Sequence, residues 1–455
     1  MSKLKAIISA LKNPHFQSLL GNGVVSVFGM VTLAVLYRAL TVQDIGVYIF
    51  FITILGLVDT VRSGFLTTSF ITFYSGTERT RANEVAGSTW MIALIVTIAC
   101  VVINIPTYFL APYVKNEGMN LFMKYFSLIS IITLPAFMAS LVIQGEKRFD
   151  RLLRLRLISQ GLFTGAAMTL ALLNKANLTT IILAYIATNT LSSIIALLVG
   201  WTMLSKLRNS TKKTCLELFH FGKYSFGTSI SANLFQVTDT FFINFFLGPA
   251  AIAVYNLGGK LLQIIEIPLL SIASSGMPVL SSHYNNNKRE EMMYTMKKMA
   301  GMLSIAIICA AIGALIFAEP IIQLIGGAKY LDTAAPNLFR IFMCIAILYP
   351  IDRFFAITLD VVHLPKVNFY KILIMLFVNL IGDYFSLSIF KSVYAITIAS
   401  LFPTLVAIFV TYPPLNKFSK FNYWSIYSIG YKESILFVKQ IYQTLFLKKQ
   451  SNNSI

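Results

Sequence analysis

Long uncharged apolar runs, separated by short polar breaks, recur along this chain from end to end. Residues 16–37, 85–114, 125–145, 176–205, 299–318 and 392–416 contain no Asp, Glu, Lys or Arg, and 157–174 is a shorter run of the same kind. Five further runs, 45–74, 224–247, 252–282, 337–361 and 372–390, are apolar apart from isolated charges. About 20 apolar residues in a helix cross the hydrocarbon core of a bilayer. The pattern therefore predicts an all-α polytopic membrane protein of about twelve transmembrane helices. A transmembrane β-barrel would alternate apolar and polar residues over segments of about ten, and no such alternation occurs.

Composition agrees. With 56% hydrophobic and 12% charged residues and a mean hydropathy of +0.73, the chain has about half the charge that covers a water-soluble domain. Its net charge of +19 would suit a nucleic-acid surface, but the distribution follows a membrane instead. With the N-terminus placed in the cytoplasm, 27 Lys and Arg fall in cytoplasmic segments, and six (Arg38, Lys115, Lys124, Lys175, Lys329 and Lys391) fall outside. This positive-inside asymmetry places both termini in the cytoplasm and makes anionic membrane lipid the partner of the basic residues. Nucleic acid is excluded as a partner for want of a soluble basic domain. The four cysteines and four histidines lack metal-ligand spacing, and no nucleotide-binding loop is present. Neither a metal nor a cofactor is expected, and no catalytic residue is assigned.

The basic linker at 206–218 divides a six-helix N-terminal half (16–205) from a six-helix C-terminal half (219–412). Amphipathic segments on the cytoplasmic face are expected at 1–15 and at 413–455. An internal echo supports related halves: Leu40-Thr-Val-Gln-Asp-Ile-Gly-Val-Tyr48 matches Leu247-Gly-Pro-Ala-Ala-Ile-Ala-Val-Tyr255 in offset and character. Six helices per half give both copies one orientation, related by a pseudo-two-fold axis along the membrane normal. Gly161-Leu-Phe-Thr-Gly165 predicts a close helix–helix approach. Pro135, Pro268, Pro350 and Pro403 lie inside spans and predict bends.

The stretch Tyr37-Arg-Ala-Leu-Thr-Val-Gln-Asp-Ile-Gly-Val-Tyr48 is similar to a turn after the first helix of the bacterial polysaccharide flippases. Ile143-Gln-Gly-Glu-Lys-Arg-Phe149 and Phe221-Gly-Lys-Tyr-Ser-Phe-Gly-Thr228 extend the resemblance, as do Asp239-Thr-Phe-Phe-Ile243, Leu247-Gly248 and Tyr255. These translocases of O-antigen and capsule units belong to a superfamily that also holds the MATE drug exporters. The resemblance covers residues 16 to about 412. It implies a MATE-like, V-shaped arrangement of the two halves that opens alternately to each side of the bacterial inner membrane. It also implies a substrate, an undecaprenyl-pyrophosphate-linked oligosaccharide moved from the cytoplasmic to the periplasmic leaflet, and polysaccharide-assembly proteins as candidate partners.

Charges inside a span cost about 2.5–3.5 kcal/mol at the midplane on insertion scales, so they mark function. They are Asp59, Arg62, Asp239, Lys260, Glu266, Arg340, Asp352, Arg353, Asp360 and Asp383. Arg offers phosphate a bidentate fork, which makes Arg353, Lys260, Arg62 and Arg340 the candidate substrate-binding residues. Internal pairing is the alternative for Asp59 with Arg62 at i, i+3 and for Arg353 with Asp360 at i, i+7. Arg340 alternatively snorkels to the interface. Asp239, Asp59 and Glu266 are the candidate coupling sites for H⁺ or Na⁺, with Asp239 foremost because Asn233, Gln236 and Thr238 surround it in sequence.

Two other functions compete. A MATE-like cation-coupled multidrug exporter calls for a cavity dominated by carboxylates, whereas cations within the spans favour an anionic substrate. A membrane-embedded glycan polymerase or ligase calls for a large external loop with catalytic side chains. The longest candidate, 326–336, holds only Lys329 and Asp332, so the sequence argues against an enzyme.

Overall fold

The computed structural model describes residues 14–442, which form sixteen α-helices and three short 3-10 turns with no strand among them. Residues 1–13 and 443–455, which carry most of the first expected amphipathic segment and the end of the second, lie outside this description. The N-terminal elements are α1 (Pro14–Ala39), α2 (Val42–Tyr74), α3 (Arg79–Leu110), α4 (Glu117–Gly145), α5 (Phe149–Leu172), α6 (Leu178–Leu198) and α7 (Lys212–Phe246). Then come α8 (Pro249–Lys260), α9 (Gln263–Asn285), α10 (Arg289–Gly326), α11 (Ala335–Ala346) and α12 (Tyr349–Val361). The chain continues through α13 (Pro365–Phe390), α14 (Val393–Ala399), α15 (Leu401–Phe418) and α16 (Ser425–Tyr442).

Each of the twelve expected spans falls on a helix or a consecutive helix pair. Ten stretches of the described chain are long and apolar enough to cross a membrane. The other two positions are α1, apolar over Val25–Ala39, and α7, where Asn233, Gln236, Asp239 and Asn244 dilute the apolar character. This is a multi-pass membrane protein.

Helix α13 shows how lipid acts as its solvent. Four of its five buried residues are polar, Lys371, Asn379, Asp383 and Ser386, while Phe377, Ile381, Phe385 and Ile389 are exposed. The polar four recur at intervals of eight, four and three, which is one helical face. A water-soluble helix would be turned the other way.

The prolines act in two ways. Pro135 and Pro268 lie within α4 and α9, whereas Pro350 and Pro403 occupy the first turns of α12 and α15. A helix needs no proline N–H there, so the expected spans 337–361 and 392–416 each divide into two helices. Pro320 bends α10, where Phe317 leaves helical geometry at φ −102° and ψ 15°, within the turn whose carbonyl the ring would strike.

The chain forms two compact units. One runs to Ala253 and adds Leu324–Gly327; the other comprises Val254–Gln323 and the residues from Ala328 onward. In the first, Leu66, Phe70, Val85, Trp90, Met138 and Leu141 form a core. In the second, Met292, Met296, Phe354, Phe355 and Ile426 do so. Helix α7 packs along α2 in the first unit, and a Cβ at Gly222 of α7 would overlap the Phe65 carbonyl of α2.

The segment 206–218 is no free loop. Leu204–Asn209 is a 3-10 turn laid so closely on α3 that a Cβ at Gly87 would overlap the Lys206 carbonyl. Thr214 Oγ1 donates to Glu84 Oε1 at 2.6 Å, Arg81 pairs with Glu217, and Trp90 Nε1 donates to Thr202 O at 2.8 Å. The first helical turns of α7 are thereby fastened to the start of α3.

Helix α1 packs along α5, but without close backbone contact at Gly161 or Gly165. The nearest atom to a Cβ at Gly161 is Phe28 Cε1 at 3.9 Å, and nothing lies within 4 Å of one at Gly165. Close approaches occur instead at Gly46, Gly87, Gly222, Gly301 and Gly430. Gly165→Ala is therefore expected to be neutral or to stabilise by up to about 1 kcal/mol through helix propensity. Thermal unfolding of the detergent-solubilised protein checks this; a drop of several degrees would place another helix against that face.

Helix α16 lies in the described part of the segment 413–455. Gly430 packs backbone to backbone on Gly301 of α10. Glu433 accepts from Tyr294 Oη at 2.6 Å and pairs with Lys298. These partners hold the Glu433 carboxyl below its usual pKa, the Lys298 ammonium contributing most. Ile426 is fully buried, whereas Tyr431, Leu436, Phe437 and Val438 are exposed.

Candidate functional site

The best-defined polar site in the first unit is built by α2, α4 and α6. Asp59 and Arg62 share a face of α2 one turn apart. Ser130, Thr133 and Phe137 face them from α4, and Tyr185 and Asn189, at i and i+4, face them from α6. Together these line a cavity of about 290 Å³. Arg62 is only 5% exposed. Its Nη2 donates to Asp59 Oδ1 at 2.5 Å and to Thr133 Oγ1 at 3.2 Å, and Nη1 donates to Ser130 O at 3.1 Å. The guanidinium carbon sits 4.7 Å from the centre of the Phe137 ring, a cation–π contact. Nε–H has no partner among the described residues. The Asp59 side chain is 49% exposed. The carboxylate, not the guanidinium, is thus the more open charge of the pair.

The other sequence-selected residues are placed more diversely. Asp239 lies half-buried in α7 and is engaged by a partner. Lys260 ends α8 where the helix breaks before α9, and it attracts Glu266, exposed in the first turn of α9. Arg340 donates to Glu319 Oε1 at 3.0 Å, Asn337 Oδ1 at 2.6 Å and Leu315 O at 3.1 Å. Arg353 is exposed and makes no hydrogen bond or ion pair among the described residues. Its suggested mate Asp360 accepts instead from Asn368 Nδ2 at 2.7 Å. The structure therefore joins Asp59 to Arg62 and sets Lys260 near Glu266, but bonds neither Arg340 nor Arg353 to those two residues of the second unit.

The sequence profile described as polysaccharide biosynthesis protein matches residues 35–335, more than half of the 455 residues. The chain belongs to that family. A probable low-salt glycan biosynthesis flippase, Agl15, of Haloferax volcanii is 24% identical over 213 residues, covering 46% of this chain and 43% of that protein. The sodium/pantothenate symporter of Escherichia coli is 29% identical over 136 residues, covering 28% of this chain and 27% of that one. The match thus spans under half the length of either curated relative. Among solved structures, the lipid II flippase MurJ in an inward closed conformation superposes with a TM-score of 0.70 at 13% identity, covering 94% of this chain and 98% of that one. An inward-facing MATE family multidrug transporter of the MOP superfamily gives 0.70 at 13%, with 87% and 96% covered. At such identities these two establish the fold of this polysaccharide biosynthesis protein.

One site of this family member escaped the reading of its sequence. Lys371, just outside the expected span 372–390, lies inside α13 with its side chain 7% exposed, donating to Asp352 Oδ1 of α12 at 2.8 Å. Further along that face Asp383 is fully buried and accepts from Asn379 Nδ2 at 3.0 Å. The shared helical face of Lys371, Asn379, Asp383 and Ser386 was the available signal, hidden because Lys371 sits near the end of its apolar run. Asp352→Ala strands a buried ammonium and is expected to cost about 3–5 kcal/mol. Lys371→Met leaves a 26% exposed carboxylate and should cost clearly less. Equal losses in the unfolding transition would contradict this assignment.

Proposed function

We propose that this protein flips an undecaprenyl-pyrophosphate-linked oligosaccharide from the cytoplasmic to the periplasmic leaflet of the bacterial inner membrane by alternating access, with both termini cytoplasmic. The observation that carries the proposal is a buried arginine in a span-lined cavity of a polysaccharide biosynthesis protein, its counter-ion half open to that cavity. A guanidinium there suits a phosphate, whose oxygens can take the place of the carboxylate oxygen now on it. Asp59 and a substrate phosphate would compete for the Nη donors of Arg62. Uptake of H⁺ or Na⁺ by Asp59 would release Arg62 to the substrate, which links ion coupling to headgroup capture in one pair.

Arg353, exposed and without an ion-pair partner among the described residues, and Lys260, at the α8–α9 break, serve as further headgroup contacts in this reading. Arg340, held by Glu319, makes its contact only by exchanging that partner. Glu266 and Asp239 are the remaining coupling candidates, and polysaccharide-assembly proteins the candidate partners. The relatedness to a probable glycan biosynthesis flippase supports the substrate class.

A multidrug exporter is the second reading, favoured by the greater exposure of Asp59 than of Arg62, since an open carboxylate suits a cationic drug. A strain lacking the protein separates the two. Lipid-linked repeat units should accumulate on the cytoplasmic leaflet, and wild type should release them while Arg62→Ala should not. Normal surface glycan without that build-up would sink the flippase reading and favour drug export.

A further inference from the structure

Helix α5 opens with several arginines, and one of them is set apart. Arg148 and Arg154 pair with Asp150 at 3.5 and 2.9 Å, and Arg151 pairs with Glu146 at 3.6 Å. These form an ion-paired cluster at the start of the helix. Arg156 lies on another face, in line with Leu152, Gln160 and Phe163 at steps of four, four and three. Leu152 and Phe163 are 5% and 8% exposed, so this face is turned into the protein. There Arg156, Ser159 and Gln160 of α5 meet Val25 and Ser26 of α1 around a cavity of about 420 Å³. Farther along, the hydrogen bond between Thr32 and Thr164 Oγ1 atoms, 2.6 Å long and buried, draws α1 and α5 together.

The chemistry of this cavity is that of an anion receptor. Its described lining offers a guanidinium, two hydroxyls and an amide, and no carboxylate. Arg156 and Ser26 each have partners within the protein, which orients them in advance of a ligand. The volume is within the usual range for small-molecule sites, about 300–1,000 Å³. Position matters as well. Arg156 is seven residues from the start of α5, roughly 10 Å at 1.5 Å per residue. Arg62 is twelve residues, roughly 18 Å, from the end of α2. The end of α2 adjoins the end of α4, since Ser75 Oγ donates to Gly145 O at 3.0 Å, and α5 begins four residues after Gly145. Arg156 therefore stands nearer the basic end of the unit than Arg62 does.

We infer that Arg156, with Ser26, Ser159 and Gln160, forms a second anion site that receives the diphosphate of a substrate lipid before it reaches the Arg62 cavity. The inference rests on the flippase reading for its ligand and on the cavity alone for its place. Full-length protein in nanodiscs of neutral lipid is titrated with farnesyl diphosphate, and inorganic diphosphate is then added as competitor. Arg156→Gln is expected to weaken farnesyl diphosphate binding at least tenfold and Arg156→Lys by less, while Arg151→Gln binds as wild type. Displacement by inorganic diphosphate at similar concentration would make the phosphates alone the ligand; its failure would make the lipid part of it, and the site stands in both cases. Gln160→Ala, with an expected loss of several-fold, serves as the second variant if Arg156→Gln does not fold. Wild-type binding by both Arg156→Gln and Gln160→Ala, or no binding by the wild type, would overturn the site. Binding lost in Arg156→Gln, together with normal surface glycan in the deletion strain, would keep the site and reject the flippase reading.

Discussion

Asp59→Ala is expected to lower the stability of the protein by about 3–5 kcal/mol, the usual consequence of leaving a buried charge without its partner. Arg62 is 5% exposed, and Asp59 is its one ion-pair partner among the described residues. Ser130 O and Thr133 Oγ1 would remain, but neither carries a charge. The reverse change is milder: in Arg62→Gln the stranded carboxylate is 49% exposed and can be hydrated. Because the two groups are in contact, the double variant Asp59→Ala/Arg62→Gln should lose less than the sum of its singles. Unfolding in detergent supplies the stabilities, and glycan export in cells supplies the function. Both single variants should stop export if the pair works as one unit. Export by a folded Arg62→Gln variant would remove the guanidinium from the site.

Gly46→Val is expected to be strongly damaging to the first unit. A Cβ at Gly46 would overlap the backbone carbonyl of Pro249. A flexible side chain could turn aside, but a carbonyl at the first position of α8 can move only with its helix. Overpacking ordinarily costs about 1–3 kcal/mol and occasionally more, and a clash with backbone belongs at or above the top of that range. Tyr37 Oη also donates to Ala253 O at 3.1 Å, so the start of α8 is held from α1 as well as from α2. The measurement is the amount of membrane-inserted protein and its unfolding midpoint. A Gly46→Val protein as abundant and stable as wild type would show that this contact can open freely.

These two sites illustrate what was legible. The echo between residues 40–48 and 247–255 was visible as a repeated offset, and its two copies meet in the fold at Gly46 and Pro249. The pairing of Asp59 with Arg62 followed from a spacing of three residues on one helix. Where the partners lie on different helices, spacing gave no guidance. Arg353 and Asp360 share a face seven residues apart, yet Asp360 takes Asn368. Arg340 bonds Glu319, and Lys371 bonds Asp352, across helix boundaries that sequence order does not align. Glycine was misread for the same reason. The motif at 161–165 has the right spacing for close packing, but no backbone atom lies within 4 Å of a Cβ at either glycine.

The sequence by itself determined that the chain spans a membrane many times, and where. Apolar run length and the cost of charge in hydrocarbon are properties of consecutive residues, and they need no knowledge of neighbours. Which buried charges pair, which helix pairs pack backbone to backbone, and which arginine opens into a cavity were decided by tertiary structure alone. In lipid the apolar effect drives insertion but does not choose between helix faces. Packing of small residues and polar contacts between helices makes that choice, and those contacts exist only once the helices have a register and a rotation.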